Sequence, residues 1–328
     1  MPRAQAGDPD AFAELVEGHR RELELHCYRI LGSAQDAEDT VQETFLAAWQ
    51  HIAGFEVRSS VRTWLYRIAT NRCLDALRTV RRRQPPRMTV PADAYLEPNA
   101  ASDVMWLEPY PDLLLEQVAD TAPGPDVRFE AHEAISLAFV AALQLLSPLQ
   151  RAVLVLRDVL GFRTRQVAVM LGTNEESVSS ALKHARANLQ ARLPPPADPA
   201  PRPNSPAEQA ITERLAAAYE AGDVEALVSL LTDDVVMTTP LAEGKYVGPA
   251  KAARVFEAIF AHNRSYRLVP TRANGQPAFG VYVQDPATGV IHAHGMLVLT
   301  LAGERVRAMT RFDNSVLSRF GLPRTLPD

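Results

Sequence analysis

Six polar side chains follow one face of a predicted helix near the middle of the chain, and their chemistry suits contact with DNA. The stretch from Gly161 to Leu193 has the pattern of two helices joined at Gly172, a residue type that commonly ends helices. Hydroxyls near a helix N-terminus and cations further along are typical of a helix that lies in a major groove. Two packed helices with a solvated polar face are the alternative. The six residues are Ser177, Ser179, Ser180, Lys183, His184 and Arg186.

Two histidines and an aspartate near the C-terminus are the other residues whose chemistry could serve a reaction. His292 and His294 are two residues apart in a predicted strand, and Asp313 follows the last predicted strand. Such groups in a dry cavity can act as general acids or bases, and the two histidines, on one strand face, could bind a metal weakly. The alternative is that the histidines face solvent and Asp313 closes the strand. We favour this alternative and predict no catalytic residue, metal site or cofactor.

Composition and charge are typical of a folded protein, except for one strongly acidic segment. The chain has 328 residues and a net charge of −5, and its length suggests two or three domains. Residues 84–132 carry nine acidic and two basic side chains, whereas residues 133–193 carry four acidic and seven basic ones. The helix pair is therefore locally basic. Cys27 and Cys73 belong to no CxxC or Cys/His cluster, which indicates buried thiols in a reducing compartment rather than a zinc site.

The elements that must position these residues are helical up to residue 193. A strong helix start at Ser147, Pro148 and Gln150 precedes a helix that runs to about Leu160 and leads into the helix pair. No apolar run approaches 18 residues and no apolar stretch follows the first residues, so neither a membrane span nor a signal peptide is predicted. Amphipathic patterns predict the earlier helices over residues 10–31, 34–52 and 61–80.

Two proline-rich segments divide the chain. Residues 84–132 contain six prolines between positions 85 and 111, which excludes long helices and predicts an extended acidic linker. Within it, residues 109–116 (PYPDLLLE) are more apolar than a spacer requires, and we expect them to dock on a partner or back on this chain. Residues 194–205 form a second linker. The predicted domains are residues 8–83, 133–193 and 206–322.

The last predicted domain has a different pattern from the helical part before it. Helical patterns over residues 207–231 and 249–262 are combined with alternating apolar and polar runs. Such runs, separated by turns, predict strands, and helices followed by a sheet predict an α+β domain. The fold class is therefore multidomain, with two all-α domains and one α+β domain. The predicted strands cover residues 235–241, 265–271, 278–284, 291–301 and 305–312.

The first two-thirds of the chain resembles an extracytoplasmic-function (ECF) sigma factor, a dissociable specificity subunit of bacterial RNA polymerase. The stretches DAEDTVQETFLAAWQHI and RTWLYRIATNRCLDALR look like the second sigma domain of that family. LSPLQRAVLVLRDVLGFRTRQVAVMLGTNEESVSSALKHARANL looks like its fourth domain, in the family's order and spacing. The resemblance implies a cytoplasmic protein whose partners are core RNA polymerase and promoter DNA.

The resemblance also implies which helix contacts the polymerase. The acidic helix from Asp36 to Trp49 would pack on the coiled coil of the largest polymerase subunit, with its carboxylates and amides toward a basic partner. Without the resemblance, an ordinary solvated face would be the preferred interpretation. The residues implied are Asp36, Glu38, Asp39, Gln42 and Glu43.

Promoter reading would be divided between the two sigma domains. A melted minus-ten element with a flipped base needs apolar or aromatic walls, polar groups and cations near phosphates. The polar helix face described first would read the minus-thirty-five element, with Arg163 and Arg165 on the DNA backbone. The acidic linker would occupy the basic, nucleic-acid-holding cleft of the polymerase, a solvated spacer being the alternative. The residues implied for the minus-ten element are Phe55, Arg58, Ser59, Arg62, Arg67 and Asn71.

Residues 206–322 resemble the polyketide-cyclase-like branch of the nuclear-transport-factor-2 superfamily, through TPLAEGKYVGPAKAARVFEAIF and TRFDNSVLSRFGLP. That fold is a cone-shaped curved sheet closed at one end by helices, and its apolar interior can hold a small-molecule ligand. In sigma factors that carry it, the domain is expected to regulate the sigma part by intramolecular contact. The residues expected to line the cone are Met237, Tyr246, Phe256, Phe260, Tyr282, His292, His294, Met296 and Asp313.

Two functional hypotheses follow from these patterns. The first is a promoter-recognising initiation factor, not an enzyme, whose activity the C-terminal domain modulates. The alternative is a small-molecule-binding or -converting enzyme domain fused to a DNA-binding regulator. Transcription with core polymerase separates the two, because only the first makes a promoter-dependent transcript.

Overall fold

The computed structural model describes residues 1–55, 60–80, 100–101, 107–119, 135–193, 198–238, 244–261 and 264–327. The chain divides into two compact units. The first comprises Met1–Pro85 with Leu113–Pro194, and the second comprises Pro86–Asp112 with Pro195–Asp328. Arg58 and Ser59, two of the residues expected at the minus-ten element, lie outside the described residues.

The first unit is built of helices. The predicted helix over residues 10–31 is in fact two helices, because the chain turns at Gly18 and His19 and a new helix begins at Arg20. A 3-10 turn (Ile52–Gly54) and a π-helical turn (Val155–Val159) follow two of the helices directly. The α-helices are α1 (Pro2–Gln5), α2 (Pro9–Glu17), α3 (Arg20–Leu31), α4 (Ala34–His51), α5 (Val61–Val80), α6 (Asp112–Ala119), α7 (Leu137–Gln144), α8 (Pro148–Leu154), α9 (Thr164–Leu171) and α10 (Glu175–Gln190).

Side-chain caps begin several of these helices, and the cap predicted at Ser147 is among them. The Ser33 hydroxyl accepts the backbone N–H of Asp36 at 3.0 Å at the start of α4. Ser147 and Gln150 form a reciprocal capping box at the start of α8, which satisfies two backbone donors that a helix end leaves unpaired. Each cap fixes the direction in which its helix leaves the preceding turn.

One continuous core joins residues 1–80 with residues 135–193. Helices α7 and α8 pack on α3 and α5, so the two helical domains predicted from the sequence are in direct contact within this unit. The fully buried side chains include Tyr28 and Tyr66 from the earlier part and Leu143 and Leu154 from the later part. Burial of such side chains is the main source of stability for a helical unit.

The second unit is a mixed sheet with helices on one face. Its strands run in the order β1-β3-β2-β7-β6-β5-β4, with β8 paired to β6. Strands β2 and β7 are parallel, and the other pairs are antiparallel. The strands are β1 (Ala100–Ala101), β2 (Leu231–Thr238), β3 (Gly244–Val247), β4 (Tyr266–Ala273), β5 (Gln276–Gln284), β6 (Ile291–Ala302), β7 (Arg305–Phe312) and β8 (Thr325–Leu326), and the helices are α11 (Pro206–Ala221), α12 (Val224–Ser229) and α13 (Pro249–Phe260).

The two faces of this sheet bury different groups. Phe279 and Val281 of β5 share a core cluster with Phe256 of α13 and Leu215 of α11. Since side chains alternate along a strand, the residues between them point to the opposite face, which a 3-10 helix (Asn314–Phe320) covers. The domain is thus a curved sheet with one helical side, as predicted. No helix in the described part of the chain has the length and apolarity needed to cross a membrane.

Candidate functional site

The polar face of α10 is presented to solvent along its whole length. Asn174 caps the helix by accepting the backbone N–H of Ser177 at 2.8 Å. Val178, Leu182 and Ala185 are buried on the opposite side, which anchors the helix and holds the polar face outward. The residues expected to read the minus-thirty-five element are all exposed: Ser177, Ser179, Ser180, Lys183, His184 and Arg186, together with Arg163 and Arg165 before and within α9.

Arg186 is oriented by a carboxylate that sequence reasoning did not pair with it. Its Nε and Nη2 atoms donate to the two carboxylate oxygens of Asp158 at 2.8 and 2.7 Å. This bidentate geometry suits a guanidinium and a carboxylate, and Asp158 raises the pKa of Arg186. The guanidinium keeps 59% of its side-chain surface exposed, so it is held in position while remaining open to another anion.

The side chains expected at the minus-ten element have three different environments on α5. Arg67 is exposed. Arg62 donates to the Glu22 carboxylate at 2.8 Å and lies over the rings of Tyr66 and Phe162 at 4.8 and 5.6 Å. Asn71 is exposed, and its side-chain amide donates to the Met170 carbonyl of α9 at 3.3 Å. Two of these three side chains therefore contact the later helical domain in this conformation.

Phe55 does not lie at the surface as the base-pocket prediction requires. Its side chain is 9% exposed, and its ring packs on the ring of Trp64 with centroids 4.8 Å apart. The Phe55 carbonyl also accepts a hydrogen bond from Gln5 at 2.8 Å. Burial of the apolar Phe55 ring against the helical core is favourable. In this structure the ring is therefore not available as a surface on which a base could stack.

The acidic face of α4 is solvent-exposed over about two turns, from Asp36 to Glu43. Asp36, Glu38, Asp39, Gln42 and Glu43, the residues expected to contact the polymerase, are all exposed. Sequence reasoning missed one further member of this face: Leu46 is 64% exposed, although a leucine on an amphipathic helix is usually buried. Its spacing of four residues from Gln42 and seven from Asp39 places it on the same stripe, and that spacing was the signal available in the sequence.

A short segment of the predicted linker is fixed to the second unit. Leu107, Tyr110 and Asp112 are each less than 8% exposed. The backbone N–H of Tyr110 donates to the Asn274 side-chain oxygen at 2.8 Å, and the Asn274 backbone N–H donates to the Tyr110 carbonyl at 2.8 Å. The expectation that residues 109–116 dock on a partner or back on this chain is confirmed for residues 109–112, which dock on this chain. The buried Leu107 extends the docked segment to residues 107–112. We call this segment, with its contacts on the β4–β5 turn, the linker clamp.

An ion network closes the linker clamp. Asp112 accepts from the Arg272 Nε at 3.2 Å and from the Gly275 backbone N–H at 2.7 Å. Arg272 also donates to Glu208 of α11 at 2.6 Å. Asn274 is fully buried with a φ of 58°, a left-handed conformation that asparagine tolerates better than most residues. The backbone N–H groups of Asn274 and Gly275 and the side chain of Arg272 therefore all donate to the linker.

Several residues expected to line a cavity are parts of the apolar core. Phe256 is fully buried and Met237 is 8% exposed, and both belong to the cluster between the helices and the sheet. Tyr246 and Phe260 pack against that cluster and are partly buried. These four residues therefore lie together in the core between the helices and the sheet.

Tyr282, Met296 and Asp313 lie elsewhere than the cavity prediction places them. Tyr282 is fully buried on the opposite face of the sheet, where its hydroxyl donates to the Pro323 carbonyl at 2.8 Å. Met296 pairs in register with Gly280 of that same face. Asp313 caps the 3-10 helix by accepting the backbone N–H of Ser315 at 2.8 Å. The error comes from strand register, which the sequence pattern alone did not define.

The two histidines of β6 do not form a pair. A register shift in the β5–β6 ladder pairs Tyr282 with Ala293 and Val281 with Gly295, so His294 is the extra residue of a bulge. A bulge ends the alternation on which a shared face depended, and His292 is exposed. Burial, then the nearby charge of Arg311, lowers the pKa of His294 to about 4. Among the described residues, no group of three His, Cys, Asp or Glu could hold a metal ion.

Helical domains in which a buried apolar stripe holds a polar, locally basic helix face toward solvent are typical of DNA-binding transcription factors. Family models agree with this class: Sigma-70 region 2 matches residues 15–83, Sigma-70 region 4 matches residues 136–189, and a SnoaL-like domain matches residues 212–309. The ECF RNA polymerase sigma factor SigG of Mycobacterium tuberculosis is 43% identical over 324 residues, which are 96% of this chain and 85% of that protein. The chain belongs to the ECF sigma factors of bacterial RNA polymerase.

Two further comparisons agree with that family. The RNA polymerase sigma factor CnrH of Cupriavidus metallidurans is 33% identical over 193 residues, covering 58% of this chain and 91% of that protein. The crystal structure of the ECF sigma factor SigJ of Mycobacterium tuberculosis superposes with a TM-score of 0.61 at 23% identity, over 93% of this chain and 97% of that one. The latter likeness concerns the fold, including its C-terminal domain. The chain therefore binds core RNA polymerase and directs promoter-specific initiation.

Proposed function

We propose that this sigma factor reads the minus-thirty-five element with the exposed face of α10 and the minus-ten element with Arg62, Arg67 and Asn71 of α5. The acidic face of α4, with Leu46, is the proposed contact for core polymerase. The corresponding domains are residues 8–83 and 133–193. The observation that carries the proposal is the outward polar face of α10 above a buried apolar stripe. Hydroxyls and cations at these positions match major-groove readers.

Footprinting of the holoenzyme tests the promoter-reading proposal. Lys183→Ala and Ser180→Ala lie on the proposed face, and Gln190→Ala, also exposed in α10, is the matched control. We expect the first two to reduce protection of the minus-thirty-five region while leaving the minus-ten region protected. Equal protection by all three variants would contradict the assignment of α10.

We further propose that the C-terminal domain (residues 206–322) modulates the sigma domains through the linker clamp. The clamp fixes residues 107–112, which lie between the two sigma domains in sequence, to the β4–β5 turn. A linker that is fixed at one point has fewer conformations than a free linker. Release of the linker from the clamp would therefore change the range of distances between the two sigma domains that the linker connects.

Run-off transcription with variants of the clamp tests the regulatory proposal. Arg272→Ala removes the ion network, and Arg267→Ala, an exposed arginine on the same strand, is the matched control. We expect Arg272→Ala to change the yield of promoter-dependent transcript several-fold, with Arg267→Ala like the unaltered protein. Identical yields from both variants would remove the linker clamp from regulation.

Small-molecule binding is a second candidate function for the C-terminal domain. It is supported by the SnoaL-like domain match and by His294, which lies half-buried beside Tyr266 with ring centroids 6.5 Å apart. A ligand that binds only the folded state raises the melting temperature. A small-molecule library screened by thermal shift, with His294→Leu as the comparison protein, would identify ligands whose effect depends on this histidine. Hits that shift both proteins equally would place binding elsewhere.

A further inference from the structure

We infer that the C-terminal domain binds a small organic carboxylate, whose charged head lies between Arg311 and Arg264 and whose apolar body lies along Tyr266 and Phe260. This ligand class is added to the proposed small-molecule function of the domain, on which the inference rests. All of these residues belong to the second unit. We call the four residues, together with His294, the carboxylate site.

Arg311 lies on the face of the sheet that the helices cover. It is opposite Leu297 of β6, and two residues earlier Met309 is opposite Leu299. Leu297, Leu299 and Met309 all belong to the core cluster between the helices and the sheet. Since alternate residues of a strand share a face, the Arg311 side chain leaves β7 on the same side as that cluster. A guanidinium is therefore placed beside an apolar core, near the end of its strand.

No carboxylate neutralises this guanidinium among the residues that the structure describes. The ion pairs in the described part of the domain belong to other arginines, and neither Arg311 nor Arg264 forms one. Arg311 donates from Nη2 to the His294 carbonyl at 3.3 Å, whereas a guanidinium has five N–H donors. Asp313, the next acidic residue along the chain, accepts from the backbone N–H and the hydroxyl of Ser315. Donors of Arg311 therefore remain for an added anion.

Gly295 allows the Arg311 guanidinium to lie close to the backbone of β6. A Cβ at this position would clash with the Phe312 carbonyl oxygen and would lie 3.5 Å from Nη2 of Arg311. A side chain at position 295 would thus displace either β7 or the guanidinium. The glycine keeps the guanidinium beside the His294 carbonyl, where the described hydrogen bond fixes its position.

The bulge in β6 places the His294 ring on the same side of the sheet. The ring is half-buried, and its centroid lies 6.5 Å from that of Tyr266, a member of the core cluster. Burial, and then the charges of Arg311 and Arg264, lower the pKa of His294 to about 4. The ring is therefore neutral near pH 7, when it offers one N–H donor and one acceptor nitrogen.

Aromatic rings form the apolar wall of the carboxylate site. The Tyr266 and Phe260 rings meet edge to face with centroids 5.7 Å apart, and Phe260 is half-buried. The Tyr266 hydroxyl donates to the Ile259 carbonyl at 3.1 Å, so this polar group already has an acceptor within the domain. An apolar group that packs on the two rings would remove further apolar surface from water.

The charge of the site selects an anion over a neutral ligand of the same shape. Arg311 and Arg264 both act on the His294 ring, so two positive charges are close together without a described counter-ion. A carboxylate would be attracted to both, and its planar oxygens match the planar donors of a guanidinium. A neutral ligand could pack on the rings, but it would gain little from the two arginines.

Matched acids and amides test the ligand class on the full chain. Phenylacetate and octanoate carry a carboxylate on an aromatic and an aliphatic body, and phenylacetamide and octanamide are their uncharged counterparts. By titration calorimetry, we expect each acid to bind about tenfold or more tightly than its amide, the difference that a hydrogen bond to a charged group makes. Equal affinities within each pair, or no binding by either acid, would overturn the inference.

The titration of His294 locates the bound anion. Nuclear magnetic resonance spectra of the full chain with labelled histidine report the pKa of each ring, and His294→Gln identifies the His294 signal. A carboxylate at this site should raise the pKa of His294 above about 4, because its negative charge offsets those of Arg311 and Arg264. An acid that binds without a change in this pKa occupies another place, which would contradict the proposed site.

Three arginine variants separate the effect of charge from that of folding. Arg311→Gln removes the charge and should weaken phenylacetate binding about tenfold or more. Arg264→Gln, at an exposed position, should weaken it less, and it carries the test if the melting curve shows that Arg311→Gln does not fold. Arg305→Gln, exposed on the same strand as Arg311, is the matched control and should bind like the unaltered protein. Full affinity in the folded Arg311→Gln and Arg264→Gln variants would exclude both guanidiniums.

Failure of the ligand class is distinguishable from failure of small-molecule binding itself. If the thermal-shift screen identifies neutral compounds whose effect depends on His294, while neither acid binds, the domain binds a small molecule and the carboxylate assignment is wrong. If no compound, charged or neutral, has an effect that depends on His294, the broader proposal is wrong as well. Binding of the acids with a raised pKa of His294 supports both.

Discussion

Asp112 and Arg272, 160 positions apart in the sequence, form an ion pair at 3.2 Å that fixes the linker to the C-terminal domain. Their side chains are only 9% and 19% exposed. Glu208 also pairs with Arg272 at 2.6 Å, so removal of Asp112 leaves the guanidinium one carboxylate partner while the Gly275 backbone N–H loses this acceptor. The pair is therefore a sensitive point for both the stability of the second unit and the position of the linker.

We predict that Asp112→Ala destabilises the second unit by about 1–3 kcal/mol, because the Gly275 backbone N–H and the Arg272 guanidinium each lose an acceptor while Glu208 still pairs with Arg272. Chemical denaturation followed by a probe in the C-terminal domain measures this change. In parallel, hydrogen exchange of the Tyr110 amide should accelerate, because the Asn274 contact holds it at present. The exposed Arg267→Ala serves as a control. Unchanged exchange at Tyr110 in Asp112→Ala would show that the linker docks without the ion pair.

Arg186→Ala should weaken binding to a minus-thirty-five element by about 1–3 kcal/mol if the guanidinium reads a base edge. The loss arises because the side chain is exposed and already oriented by Asp158. Holoenzyme binding to specific and scrambled promoter DNA measures it. An equal loss on both DNAs would instead identify a phosphate contact, accompanied by a smaller salt dependence.

Leu46→Ala should weaken binding of core polymerase roughly tenfold, the loss expected when an apolar anchor worth more than about 1 kcal/mol is truncated at a protein interface. Leu46 is 64% exposed, so the change should leave the melting temperature of the free chain nearly unaltered. Gln50→Ala, exposed one turn later on α4, is the control. Unchanged polymerase affinity in Leu46→Ala would place the interface elsewhere on the helix.

Stability should fall as the pH decreases below about 6.5, and His26 is one cause. The His26 ring is fully buried and bonded to the Thr70 hydroxyl at 2.8 Å. Burial, with the charge of Arg29, lowers its pKa from 6.5 to about 3. Between these two values the unfolded chain binds a proton that the folded chain excludes, so folding stability is complete above about pH 6.5 and is lost progressively toward about pH 3.

Denaturant unfolding at several pH values measures this dependence. His26→Gln retains a hydrogen-bonding group without a titrating ring, and it should show a shallower fall in the free energy of unfolding. His292→Gln replaces an exposed histidine and should follow the unaltered protein. His294, whose pKa is also lowered, contributes in the same direction from the second unit. A slope unchanged in His26→Gln would assign the acid sensitivity to other groups.

The local features of this fold followed from the sequence with few errors. Caps such as Ser33 and the Ser147–Gln150 box, the glycine at 172 and the apolar stripe of α10 each act over a few residues. These short-range interactions join residues that are close in the sequence, so sequence patterns predict helices and the exposed faces of helices. The same reasoning placed the sheet after the helices in the C-terminal domain.

The errors occurred where register or packing between distant segments decides the outcome. The bulge at His294 separates two histidines that strict alternation would place together. Tyr282 faces the sheet side opposite the expected cavity, and Phe55 packs on Trp64 instead of facing solvent. A shift of one residue in strand register moves every side chain of that strand to the opposite face of the sheet. Short sequence patterns do not predict such a shift.

The sequence by itself determined the order of the domains, the helix ends and the polar and acidic faces proposed for DNA and polymerase. Tertiary structure decided that Arg186 faces Asp158, that Asp112 is held by Arg272, and that Arg151 caps α3 at Ile30. Each of these contacts joins residues that are 28 to 160 positions apart. Their energies depend on geometry and burial that arise only when the chain has folded, because charges and donors interact according to distance and local solvation.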